Sequence, residues 1–170
     1  MFVSDNPNRK TKYDLIAVEK VTDRGILLVN MDSQVPNDVV AEWLQKGELF
    51  SQNAVIKREV KFGNSRFDFY VEDGERKVFI EVKGVTLENN GVVSFPDAPT
   101  ERGVKHIKEL VACFENGFEA YIIFVVQMKG VQSFEPNAEH HKEFADVLNL
   151  AREKGVKVLV YDCLVTPYSI

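Results

Sequence analysis

Cysteine is scarce in this 170-residue chain: Cys113 and Cys163 are the only two, in apolar settings and without CxxC spacing. That excludes a dense disulfide framework and leaves two buried thiols as the expectation. Long apolar runs are missing too. The longest, AYIIFVV at 120–126, is far short of the roughly 20 residues that a membrane helix needs. The opening MFVSDNPNRKTK has Asp, Asn, Pro and basic residues where a secretory signal needs an apolar stretch, so a cytoplasmic protein is expected. Positive charge is in deficit, with 21 Lys and Arg against 26 Asp and Glu and a net charge of −5. No global field draws the chain to nucleic acid, and any such contact has to be local. There is no GxxxxGK[ST] loop, no GxGxxG after a strand and no GxSxG elbow, which leaves nucleotide-dependent and acyl-transfer chemistry without support.

What is present reads as a globular α/β chain. Hydrophobic residues make up 45% and charged residues 28%, and no Pro/Gly/Ser-rich linker, low-complexity run or internal repeat divides the sequence. Residues 13–19 and 26–31 predict a hairpin turned at TDRG. Val39, Val40, Trp43 and Leu44 recur at helical spacing between Pro36 and Gly47. Three strands follow, at about 55–62, 65–72 and 77–83, separated by GNS and EDGER and expected as an antiparallel meander. A short strand at 91–95 precedes a helix over 101–116, with Asp97 or Thr100 as its cap. The run at 119–127 reads as a strand buried on both faces in mid-sheet. A helix over 139–154 and a strand over 156–162 close the chain. Hairpins give antiparallel pairs and helical crossovers give parallel ones, so the order predicts a mixed sheet with helices packed against it.

One stretch goes against the hydrophobic pattern. SRFDFYVEDGERKVFIEVKG, 65–84, places Asp68, Glu81 and Lys83 on two strongly apolar strands, where each needs a partner to remain charged. Regular alternation puts Arg66, Asp68 and Tyr70 on one face, opposite Phe67, Phe69 and Val71. On the next strand it puts Phe79, Glu81 and Lys83 opposite Val78, Ile80 and Val82. A loop at Asp73–Arg76 pairs Glu72 with Lys77 and sets Asp68 across from Glu81, with Cβ atoms about 5 Å apart. A two-residue turn at Asp73-Gly74 leaves Asp68 and Glu81 diagonal, at roughly 7–8 Å. A three-residue loop mixes the faces and is disfavoured. Two carboxylates with a nearby carbonyl make a hard oxygen site suited to Mg²⁺ or Mn²⁺, and an adjacent ammonium can steady developing negative charge. The alternative is a solvated face of cross-strand ion pairs, and spacing alone leaves both open.

The ordered motifs SRFDF, IEVKGVTL, FPDAPTERGVKHIKEL and FVVQ resemble the sugar fermentation stimulation protein A family, bacterial and archaeal proteins described as DNA-binding. The resemblance covers about Asn6 to Tyr161. It implies a restriction-endonuclease-like mixed sheet flanked by helices, of the PD-(D/E)XK type, at 36–170. Residues 1–35 then form a short β-hairpin remnant of an OB-like region, most of which is missing. The resemblance also implies metal ligation by Asp68, Glu81 and the Val82 carbonyl, charge stabilisation by Lys83, and Glu59 as an additional acid. OB-folds commonly bind single strands, so a shortened one weakens the DNA-binding expectation.

Candidate phosphate contacts are Arg66, which can also neutralise the acids, the cluster Arg9, Lys10 and Lys12, and the helical series Arg102, Lys105 and Lys108. Each has a solvated-surface alternative. His106 lies on a helix and His140 and His141 diverge at the start of another, without zinc-ligand spacing. The leading reading is a DNA-binding, possible regulatory protein on a nuclease-like core. A Mg²⁺-dependent nuclease using Asp68, Glu81 and Lys83 is second, and a nuclease-like domain serving protein contacts is third.

Overall fold

The structure is a computed structural model describing residues 2–3 and 13–170. In chain order its elements are β1 (Phe2–Val3), β2 (Tyr13–Asp14), β3 (Ala17–Thr22), β4 (Gly25–Asn30), α1 (Val35–Gln45), β5 (Val55–Phe62), β6 (Ser65–Asp73), β7 (Arg76–Val85), β8 (Leu87–Asn89), β9 (Val92–Phe95), α2 (Glu101–Glu115), β10 (Glu119–Val126), β11 (Ser133–Pro136), α3 (Lys142–Lys154) and β12 (Lys157–Asp162). The main sheet has five strands in the order β12-β10-β7-β6-β5. β5, β6 and β7 form the expected antiparallel meander, while β10 runs parallel to both β7 and β12 through helical crossovers. As its apolar run predicts, β10 lies inside the sheet and is buried almost throughout. β3 and β4 form a hairpin at the predicted turn as a sheet of their own, but its first strand is Ala17–Thr22 rather than 13–19, because Tyr13–Asp14 pair with β1 instead. β8 and β11 pair with β9 in a third sheet. The sequence reading missed both, because three and four residues carry too little alternation to register as strands.

Two apolar cores sandwich the main sheet. Phe79, Ile122 and Phe124 pack with Val104, Ile107, Leu110, Phe144 and Leu148 of α2 and α3. Val78, Ile80, Val82, Ile123 and Val125 pack with Val40 and Leu44 of α1. α2 is capped by Thr100, whose Oγ1 accepts the Gly103 N–H at 3.0 Å, as its capping position predicts. Cys113 is buried; Cys163 is only partly so, against the expectation for it.

Regular alternation fails at one place. Phe69 and Val71 belong to the α1 core, as expected, but Phe67 belongs to the α2/α3 core, where it meets Phe79 and His106. β5 behaves the same way: Ile56 joins the α1 core and Val60 the α2/α3 core. The reversal occurs where Glu59 adopts φ 57 and its pairing with Asp68 is skipped between Arg58↔Phe69 and Val60↔Phe67. A left-handed residue breaks the period of two, so the grouping of Phe67 with Phe69 does not survive this joint.

Candidate functional site

β6 and β7 are joined by a tight turn at Gly74-Glu75, Gly74 taking φ 62, and the ladder runs from Asp73↔Arg76 through Glu72↔Lys77 to Phe69↔Ile80. This is the register that sets Asp68 across from Glu81, with one more pair closed at the turn than the predicted loop allowed. The ladder stops just before that rung. Continued, it would have Val82 and Phe67 exchange backbone hydrogen bonds. Instead the Val82 N–H donates to Asp68 Oδ2 at 2.7 Å. A strand residue's N–H and C=O face the same neighbour, so the Val82 carbonyl points into the gap between β6 and β7.

Each carboxylate is held from a different side of the sheet. Asn37, in the first turn of α1, donates from Nδ2 to Asp68 Oδ1 at 3.1 Å. Gly84 permits this approach, since a Cβ there would lie 2.8 Å from Pro36 Cγ and collide with Gln127 Oε1. From the other face, His106 Nδ1 of α2 lies 2.5 Å from Glu81 Oε1, and Lys83 Nζ reaches the same oxygen at 2.5 Å. Glu81 is 2% exposed, and its Oε2 has no hydrogen-bond partner.

Burial, followed by repulsion from Glu81, pushes the Asp68 carboxyl up to about 6, although Val82 N–H, Lys83 and Asn37 pull against it. Burial also raises Glu81, but hydrogen bonding to His106 and the charge of Lys83 outweigh it and hold this carboxyl below its usual range. One acid is thus kept ionised beside another that resists ionisation because it is buried and repelled by the first. Two carboxylates, one of them with a free buried oxygen, and the Val82 carbonyl form a hard oxygen donor set that fits a small divalent cation.

The other candidates are more dispersed. Glu59 is exposed and lies 3.9 Å from Arg66, so Arg66 answers this carboxylate rather than the buried acids. Lys105 donates to the Asn64 carbonyl at 2.9 Å, and Lys108 pairs with Glu143 at 2.7 Å. Arg102 Nε sits 3.5 Å from His106 Nε2. The basic ridge on α2 is therefore engaged within the protein. Arg9, Lys10 and Lys12 lie outside the described residues. Glu101, His141 and Glu143 bring ligand atoms within 4.8 Å of one another, but His141 Nδ1 accepts the Thr100 N–H and Glu143 holds Lys108. Asn37 and His106 are the contacts that sequence reasoning missed. His106 carried one signal: it is a polar residue among the buried positions of α2.

No helix among the described residues is long and apolar enough to cross a membrane. The model of the sugar fermentation stimulation protein RE domain matches residues 34–169. A sugar fermentation stimulation protein homolog of Clostridium beijerinckii is 60% identical over 167 residues, covering 98% of this chain and 72% of that protein. One from Ruminiclostridium cellulolyticum is 58% identical over 162 residues, covering 95% and 70%. The structure of Pyrococcus furiosus SfsA in complex with Ca²⁺ superposes with a TM-score of 0.82 at 27% identity, over 98% of this chain and 71% of that one. With a family model spanning most of its length and relatives this similar, the chain belongs to the sugar fermentation stimulation protein family, on a restriction-endonuclease-like α/β fold.

Proposed function

We propose that this protein binds DNA and hydrolyses phosphodiester bonds with a divalent metal ion, Mg²⁺ or Mn²⁺. The observation that carries this reading is the buried, partnerless Glu81 Oε2 beside an Asp68 carboxyl raised to about 6. Burying such a pair without a cation is costly, and a cross-strand ion-pair surface would leave neither feature. The Ca²⁺ complex of the P. furiosus relative supports a divalent ion. The same features favour hydrolysis over DNA binding alone, which needs no acidic donor set.

Asp68, Glu81 and the Val82 carbonyl would hold the ion, which supplies charge neutralisation at the phosphate and a more acidic water. Asn37 and the Val82 N–H fix the Asp68 carboxylate. Lys83, 18% exposed at its side chain, offers its ammonium to charge developing on the phosphate. Arg66, exposed near the start of β6, would reach a flanking phosphate on leaving Glu59. The division at residue 35 and a cytoplasmic location belong to the same proposal. The first is supported by the separate β3–β4 sheet and by a family match that starts at residue 34.

The test pairs wild type with Asp68→Ala on single- and double-stranded DNA, following binding and cleavage with Mg²⁺, Mn²⁺ or a chelator. Cleavage that needs metal and disappears in the variant is expected. Binding indifferent to metal and to Asp68, without cleavage, would leave a DNA-binding protein on a nuclease scaffold.

A further inference from the structure

We infer that His106 is a positioning residue for the metal ligand Glu81, its Nδ1–H fixing the carboxylate so that only Oε2 remains to meet the ion. The inference rests on the metal-site reading above. Glu81 Oε1 is an acceptor, so the ring nitrogen 2.5 Å away carries the hydrogen. On the other side of the ring, Nε2 faces Arg102 Nε at 3.5 Å. The Glu81 carboxylate and the Arg102 guanidinium thus bracket the ring and keep Nδ1 turned toward Glu81. The ring cannot readily turn. His106 is 5% exposed, and it stands edge-to-face on Phe67 with centroids 6.1 Å apart.

Lys83 touches the same Glu81 oxygen but lies two residues along the same strand on a flexible stem, so it cannot set the carboxylate plane as a rigid ring from α2 can. With Oε1 occupied by two donors, the free oxygen is Oε2. Groups that hold metal ligands in this way typically change metal affinity 10–100-fold when removed. Phe67 reaches His106 only because the alternation of β6 reverses at Asp68, so the joint that opens the site also builds its support.

The experiment is Mn²⁺ binding to the whole chain by calorimetry, without DNA, for wild type, His106→Phe, His106→Asn and His106→Gln, with thermal melts alongside. Phe keeps a ring against Phe67 and removes the donor. Asn places an amide N–H close to the position of Nδ1, and Gln carries its amide one atom too far. The expected result is a loss of Mn²⁺ affinity of about tenfold or more in His106→Phe and His106→Gln, with His106→Asn within about threefold of wild type. Equal affinity in all four, or equal loss in Asn and Gln, overturns the positioning role while leaving the metal site standing. Absence of Mn²⁺ binding by wild type overturns the metal site and this inference together. Should His106→Phe not melt cooperatively, the Asn and Gln pair decides the matter.

Discussion

β7 carries a charged cluster at each end, and the two are built on opposite principles. At its start, Arg76 donates from Nε and Nη2 to the two oxygens of Glu119 at 2.6 and 3.0 Å, while Lys157 and the Tyr121 hydroxyl complete the carboxylate's coordination. The guanidinium also lies over the Phe50 ring, 4.9 Å from its centroid. Hydrogen bonds from Arg76, then those from Lys157, hold the Glu119 carboxyl down at about 2 against a partial burial cost. Further along the strand, Glu81 has one oxygen with two donors and one without a hydrogen-bond partner, and the Asp68 carboxyl is raised. A saturated cluster stabilises a fold, whereas one that is short of positive charge is arranged for something that arrives later.

The largest contrast is expected from paired substitutions. Asp68→Asn should bring metal-dependent cleavage to background yet raise the stability of metal-free protein by about 1 kcal/mol, because it removes an uncompensated buried charge. Turning the Asn37 amide over lets its Oδ1, which has no partner now, accept from the new amide in place of the present Nδ2 donation. Arg76→Ala should do the reverse, lowering stability by about 1–2 kcal/mol and leaving cleavage unchanged. Urea denaturation alongside a DNA cleavage assay reads both, and destabilisation by both substitutions would end the distinction.

The same comparison predicts opposite pH dependences. The folded pKa of Asp68, about 6, exceeds the ordinary 3.8, so its contribution to stability falls as pH rises from about 4 to 6. That of Glu119 lies below the ordinary 4.5, so its contribution is present above that value and lost as pH falls toward 2. Difference melts should show Asp68→Asn flattening the upper window and Glu119→Gln the lower one. Mn²⁺ affinity should also weaken below about pH 6, as protons compete for Asp68.

The smallest effect belongs to the joint between the regions. Glu59→Gly relieves a left-handed φ of 57 but frees the unfolded chain, for a net change within about 0.5 kcal/mol. Unchanged cleavage is expected, given that Glu59 faces Arg66 rather than Asp68. A large loss would restore it as a working acid.

Most elements could be read from local chemistry. The apolar run of β10, the spacing in α1 and α2, the Thr100 cap and the glycines at turns are properties of neighbouring residues. β8 and β11 could not be read in this way, because they are strands only by virtue of pairing with β9. The site divides along the same line. Asp68, Glu81 and Lys83 stood out as charges on apolar strands, but Asn37 and His106 lie 31 and 25 residues from the groups they hold.

The sequence by itself determined which residues are apolar, where chain direction changes and which three charges contradict their surroundings, since these depend on composition and on periods of 2 and 3.6 residues. Only the tertiary structure decided that alternation reverses at Glu59 and Asp68, that β6 and β7 part before Val82, and that helices from opposite faces each grip one carboxylate. Those outcomes depend on dihedral angles and on packing between distant segments, which no local periodicity encodes.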